Sequence, residues 1–368
     1  MNNVYINARG LVSHLGWGLP AACHRLSEST PPNISTPTDN AAAPFYAIPD
    51  PTDASVNSSN WLERAQSIVL AAMHEADCLT KTQATLIIAS SSTDIGWYEG
   101  TDDIPQSMHD FPERIRSWLN WQGPILLISA ACTASLQACI HAMRLIQNKL
   151  LDEVVILGIE LSNQLSQTGF TNMQLLSKST AQPLGVKRDG LLLGEAVAVL
   201  HLSKYPARWQ LLSGRSCING NDMTGASQQT IEQICQDVLR EAHISYADLS
   251  LVKLQASGSP TNDLTEIQAL QNLAHASQNT PALTSLKSIL GHTLGASGAA
   301  ELALLTCAIE SDCYFTPQYP LIDTPAHTAW RPVTPVQYLM AIILGFSGEH
   351  AAVILKDTDY RKPTDAPD

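Results

Sequence analysis

Short apolar runs alternate with amphipathic stretches along this chain, and the same alternation is laid down twice. In the first half, residues 4–13, 84–89, 124–129, 154–158 and 191–201 read as strands, with helical spacing over 19–26, 65–76 and 133–150. In the second half, strand patterns at 209–213, 249–255, 283–285, 340–344 and 351–355 are interleaved with helices over 228–242, 262–275 and 293–309. Strands that alternate with helices form α/β layers, and two matching series point to a duplication, with halves over 1–203 and 204–356. Residues 27–60, rich in Ser, Thr, Pro and Asn, are expected to be loop. Residues 93–121 place Trp97, Tyr98, Met108, Phe111, Trp118 and Trp121 among charges, as expected of a partly packed helical insertion, and 357–368 is expected to be a polar, disordered tail.

Composition narrows the function classes. The 368 residues are 45% hydrophobic and 15% charged, so much of the chain is interior or covered by a partner. The formal net charge of −13 speaks against nucleic acid, which needs clustered Lys and Arg, and disfavours an acidic protein partner over most of the surface. No apolar run of about 18 residues is present, and a basic stretch leading into an apolar one is missing near Met1. No membrane span, no secretory leader and a cytoplasmic location are therefore expected. The eight cysteines include no Cys-x-x-Cys pair, which argues against structural zinc and a redox dithiol. No metal or cofactor is expected.

Two segments can carry chemistry. Ser129-Ala130-Ala131-Cys132-Thr133 joins a strand to a helix, where unpaired N–H groups and the helix dipole favour a thiolate; a small buried thiol at a tight turn fits the pattern equally well. Lys287-Ser288-Ile289-Leu290-Gly291-His292-Thr293-Leu294-Gly295 follows a short strand and holds His292 in a tightly turned backbone. A glycine-rich packing site with an incidental histidine is the plainer alternative, and the spacing does not match a phosphate-binding loop.

Taken together, the two segments resemble the β-ketoacyl-acyl-carrier-protein synthase family of the thiolase superfamily. Ala131-Cys132-Thr133-Ala134-Ser135 is similar to its nucleophile motif, and Lys287-Ser288-x-x-Gly291-His292-x-x-Gly295-Ala296-x-Gly298 to its Lys/His motif. Arg188-Asp189-Gly190-x-x-x-Gly194-Glu195 and Gly345-Phe346-Ser347-Gly348 match two further motifs in the family's chain order. The resemblance implies a thiolase fold of two duplicated halves in five αβαβα layers, dimerised through the strand before Cys132. It also implies acyl transfer to Cys132, decarboxylation of a malonyl extender and carbon–carbon bond formation. Lys287, His292 and Glu266 are the implied catalytic companions. Gly345, Phe346 and Gly348 form the implied gating and oxyanion loop, although core packing is an equal role for Phe346.

The resemblance breaks at one catalytic position. Where the family's first histidine should stand, Leu254-Gln255-Ala256-Ser257-Gly258-Ser259-Pro260 carries Ser257, and no histidine occurs between His243 and His275. Loss of one such donor to a developing oxyanion costs about 3–4 kcal/mol, or roughly 10²–10³ in rate. Asp263 and Glu266 still resemble the acidic pair after that motif, while Glu349 and His350 replace the family's Thr-Asn, His350 being a possible substitute donor. The pattern implies a condensation-impaired, chain-length-factor-like partner of a competent ketoacyl synthase in type II polyketide, fatty-acid or aryl-polyene assembly. An acyltransferase that does not elongate and a working condensing enzyme are the alternatives. Heterodimer or homodimer partners are implied, with acyl carrier protein docking mainly on the partner subunit.

Overall fold

The computed structural model describes residues 2–28, 44–49, 60–101, 107, 109–219, 226–275, 280–322 and 335–361. Most of the expected 27–60 loop, Met108 and residues 362–368 of the expected tail lie outside these. The first half contains β1 (Val4–Ser13), β2 (Gly16–Trp17), α1 (Leu19–Ser27), α2 (Trp61–Glu75), β3 (Thr85–Ala89), α3 (Ile95–Tyr98), α4 (Asp110–Leu119), β4 (Ile125–Ile128), α5 (Ala134–Gln147), β5 (Glu153–Glu160), α6 (Gln164–Asn172) and β6 (Ala196–Ser203). The second holds β7 (Trp209–Ile218), α7 (Gln228–Ala242), β8 (Leu251–Lys253), α8 (Asn262–His275), β9 (Ala282–Thr284), α9 (Lys287–Leu290), α10 (Ser297–Glu310), β10 (Tyr338–Leu344) and β11 (Glu349–Asp357).

The strand order runs β4-β3-β5-β6-β1 and continues β7-β11-β10-β8-β9, so each half repeats the other's sequence of parallel and antiparallel neighbours. A short antiparallel pairing of Val4–Ile6 with residues 209–211 joins the two sheets. Helices α5 and α10 lie side by side between them, α5 against β3, β5, β7 and β11, α10 against β1, β5, β6 and β10. On the outer faces, α2 packs over β1 and β6, and α7 over β7 and β11 with α8 beside it. This is the five-layered thiolase architecture.

The sequence explains the layers. A helix between two sheets must be apolar all round and slender, and Ser297-Gly298-Ala299-Ala300-Glu301-Leu302-Ala303-Leu304 is both. A Cβ on Gly298 would sit 2.6 Å from the Leu136 nitrogen, so only glycine lets α10 approach α5 this closely. The outer helices are amphipathic and capped by side chains. Asn60 accepts from the Leu62 N–H at the start of α2, and Ser227 from that of Thr230 at the start of α7.

Several boundaries differ from the sequence reading. α6 and α9 were not expected; α6 buries no residue completely and α9 spans one turn, so neither gives a periodic signal. Residues 191–195, expected as strand, instead make isolated bridges that clamp the site. β11 runs to Asp357, whose carboxylate pairs with Arg208 at 2.9 Å, and the Thr358 N–H donates to the Arg208 carbonyl at 2.8 Å. The tail expected from 357 onward is therefore held in place at its first residues.

Candidate active site

Equivalent positions of the two halves meet at the centre of the molecule. The β4–α5 junction supplies Cys132, and the β9–α10 junction supplies Lys287, His292 and Ser297. Cys132 follows Ala131, a non-glycine residue at φ 43°, where the chain turns sharply from strand to helix. The turn is held by the Thr133 hydroxyl donating to the Ala130 carbonyl at 2.8 Å and by the Ser91 hydroxyl donating to the Ala131 carbonyl at 2.9 Å. Such strained backbone persists where surrounding bonds fix it.

His292 Nε2 lies 3.0 Å from Cys132 Sγ. Its Nδ1 faces Lys287 Nζ at 3.3 Å and Ser297 Oγ at 3.2 Å. A lysine ammonium can only donate, so Nδ1 accepts and the neutral ring carries its proton on Nε2, directed at the sulfur. Burial and the charges of Lys287 and Lys253 hold the His292 pKa well below its ordinary value. His292 is thus a hydrogen-bond donor toward Cys132 rather than a resting base.

Behind it lies a buried charge cluster. The Glu301 carboxylate forms ion pairs with both Lys253 and Lys287, and all three side chains are buried. Burial opposes ionisation of Glu301, but the two lysines outweigh it and hold its carboxyl below the usual range. Lys253 also donates to the Ile342 carbonyl at 2.9 Å.

Burial pushes the Cys132 thiol up to about 11, against the backbone N–H groups of Phe346 and of Cys132 itself and the charge of Lys287, which favour the thiolate. Of the two sequence readings, a thiolate at a helix start and a small buried thiol, the burial of Cys132 favours the second. The helix-start groups act in the expected direction, and desolvation exceeds them. The same two N–H groups are directed at the Cys132 sulfur.

A cavity of about 150 Å³ opens beside this pair, lined by Gln255, Ser257, Glu266, His292, Phe346 and His350 among others. Ser257 and His292 therefore line one cavity, and Gly345 lines it too. Gly348 is not among the lining residues; its carbonyl accepts from the Asn219 N–H at 2.7 Å. Glu266 spends its carboxylate on the Gln255 and Ala256 N–H groups, both at 2.8 Å, and Asp263 accepts from Ser257 and Gly258 at 3.0 and 3.1 Å. Burial raises Glu266 to about 7 and Asp263 to about 6. Both carboxylates hold the Ser257 loop. The Phe346 ring packs edge-on against Phe170 with centroids 5.3 Å apart.

The Arg188–Glu195 motif has a structural purpose. The Gly190 N–H donates to the Gly258 carbonyl at 3.0 Å and the Gly194 N–H to the His292 carbonyl at 3.0 Å, while Leu192 accepts from the His292 N–H at 2.7 Å. One segment thus fixes both the Ser257 and His292 loops. Glu195 anchors it through a two-bonded Arg64 pair at 2.8 and 2.7 Å.

Sequence reasoning missed Lys253, Ser297, Glu301 and Glu160. Glu160, at the end of β5, accepts from the Ser91, Ser92 and Gly295 N–H groups at 2.8, 3.0 and 2.9 Å. The available signal was a single charge inside an otherwise apolar segment: Lys253 within Leu251-Val252-Lys253-Leu254, and Glu301 within α10. Such charges are buried only when paired.

Family models for the N-terminal and C-terminal domains of β-ketoacyl synthase match residues 98–207 and 213–317. The chain belongs to the β-ketoacyl synthase family. It is 26% identical over 261 residues to the 3-oxoacyl-[acyl-carrier-protein] synthase 2 of Vibrio cholerae, covering 64% of this chain and 63% of that protein. A putative polyketide β-ketoacyl synthase of Streptomyces cyaneus is 27% identical over 264 residues, covering 66% and 62%. The chain thus spans less than two thirds of these relatives. Among solved structures, the ketosynthase ApeO in complex with its chain length factor ApeC from Xenorhabdus doucetiae matches with a TM-score of 0.80 at 21% identity, covering 97% of this chain and 98% of that one. A β-ketoacyl synthase from Burkholderia phymatum matches with a TM-score of 0.81 at 20% identity, covering 97% and 100%. Among the described residues no helix is long and apolar enough to cross a membrane, and no group of three His, Cys, Asp or Glu is placed to hold a metal.

Proposed function

We propose that this ketosynthase-like chain accepts an acyl group on Cys132, is impaired in condensation, and works as the chain-length-factor-like member of a pair with a competent ketoacyl synthase in polyketide or fatty-acid chain assembly. The observation that carries the reading is the contrast around His292. Cys132 stands 3.0 Å from its Nε2, while Ser257, which lines the same cavity as His292, stands where the family pattern has a second imidazole. A serine hydroxyl reaches less far than an imidazole and leaves the enolate of a decarboxylating extender short of one donor, which slows elongation roughly 10²–10³-fold.

Pairing is supported by β4. It ends the sheet with β3 as its sole strand partner among the described residues, and Leu126 on it is 47% exposed. An open apolar edge strand is a template for strand addition by another subunit. The complex of ApeO with ApeC shows that this fold is used in such pairs. With a net charge of −13, docking of an acidic carrier protein falls mainly to the partner subunit.

The test is co-expression with and without a competent synthase, followed by incubation with acyl-loaded carrier protein and intact-mass analysis. We expect a heteromeric complex and acyl mass on Cys132. A homodimer elongating malonyl units at the rate of an ordinary synthase would overturn the impairment, and absence of acyl mass would overturn the transfer.

A further inference from the structure

His350 lies near the start of β11, opposite Leu344 on β10 and Cys217 on β7. It is 1% exposed, and neither ring nitrogen has a hydrogen-bond partner among the described residues. The backbone of its chain neighbour Glu349 is close but makes no aligned bond, and the Glu349 carboxylate is itself bonded to Gln137. The ring lines the same cavity as His292 and Ser257.

Buried polar atoms find partners in folded proteins as a rule, and an imidazole left without any is a poor way to fill apolar space. A buried imidazole without a partner at the cavity calls for a ligand that carries a hydrogen-bond acceptor. The cavity is of the size that holds about six heavy atoms, as a benzene-sized void does. A malonyl group beyond its thioester sulfur is that size and carries oxygens along its length. A long alkyl chain neither fits nor satisfies the wall.

We propose that His350 contacts the substrate in this cavity, donating an imidazole hydrogen bond to the thioester oxygen of a short, carboxylated acyl thioester, and carries the decarboxylation left after the loss at Ser257. The inference rests on the reading above that the cavity takes acyl thioesters. In the step, the bond between the α-carbon and the carboxylate breaks and carbon dioxide leaves. The electron pair passes to the thioester oxygen as an enolate, which takes a proton from water at the α-carbon to give the acetyl thioester.

The experiment measures carbon dioxide release from malonyl-coenzyme A by the full chain, with His350→Leu and His350→Gln variants and melting curves for each. Wild-type protein should release carbon dioxide; His350→Leu should lose about 10²-fold in kcat/KM, the size expected for one oxyanion donor, with part regained by His350→Gln. The Tm of His350→Leu should stay level or rise, because the leucine removes an orphan polar group. Release by His350→Leu within about twofold of wild type, whether or not its Tm falls, overturns the inference, as does wild-type protein that releases none. Acylation of Cys132 by an acetyl thioester is scored separately on wild-type protein. Its failure with His350-dependent release intact would sink the acyl-transfer reading and spare this one.

Discussion

Replacing Glu301 by glutamine removes the one carboxylate that Lys253 and Lys287 share, without changing the shape of α10. In the native protein both ammonium groups are buried against it, Lys253 with a further bond to the Ile342 carbonyl and Lys287 with one to Ser297 Oγ at 3.0 Å. Taking one partner from a buried ion pair costs about 3–5 kcal/mol, because the remaining charge stays desolvated. Two stranded lysines place Glu301→Gln toward the upper end. For a chain of this length that is a fall in Tm of about 5–7 °C. The pH dependence follows from Lys253, whose folded pKa is lowered by burial and raised by Glu301. A lysine depressed in the folded state binds fewer protons there than when unfolded. Its cost is therefore full at low pH and fades as pH rises toward the unfolded value of about 10.4. Glutamine removes the raising influence and deepens the depression, so the deficit should be largest near pH 7 and close toward pH 10. Urea and thermal melts at pH 7, 8.5 and 10 measure it. A deficit below about 1 kcal/mol at pH 7, the range of an exposed pair, or one that does not change with pH, would refute a shared, charged cluster.

Three further outcomes follow from the site and the sheet edge. With its thiol held at about 11 against an ordinary 9, Cys132 should react with iodoacetamide at pH 7 about 10²-fold more slowly than free cysteine and accelerate as pH rises; fast alkylation at pH 7, read by peptide mass mapping, would contradict its burial. Leu126→Lys should leave the fold intact by circular dichroism yet abolish subunit pairing in light scattering, whereas an undisturbed dimer would move the interface away from β4. Ser257→His should raise elongation of malonyl units roughly 10²–10³-fold in a product assay, and no gain would mean that more than this donor is missing.

The duplicated alternation of strand and helix was legible in the sequence because burial on both faces leaves continuous apolar runs such as Leu86-Ile87-Ile88 and Val154-Val155-Ile156-Leu157. Cys132, Lys287, His292 and Ser257 were singled out through their motifs; the structure brings Cys132 and Lys287 into contact with His292, and Ser257 lines the same cavity as His292. Gly348 and Glu266 were singled out as well, but Gly348 does not line the cavity and Glu266, which does, commits its carboxylate to backbone N–H groups, a distinction that motif membership does not make. The charge cluster escaped because Lys253 and Glu301 come from segments far apart in sequence, and only the packing of α10 against the second sheet makes them neighbours. The state of Cys132 stayed open for a related reason: helix-start effects are local and readable, whereas desolvation depends on what covers the thiol.

The duplication also accounts for how one catalytic position can change while its neighbours stay in order. Cys132 and the Lys287–Ser297 segment lie on matching strand-to-helix junctions that meet in the central layer, tied by Glu301, Lys253 and the Leu192–Gly194 clamp. Ser257 sits elsewhere, on the loop after β8, and that loop is held through backbone groups: Asp263 takes the Ser257 and Gly258 N–H groups, Glu266 those of Gln255 and Ala256, and Gly258 itself accepts from Gly190. None of these bonds uses the side chain at position 257. Exchange of imidazole for hydroxyl there leaves the loop's support intact, so the side chain at 257 can change while the Cys132–His292 pair keeps its geometry.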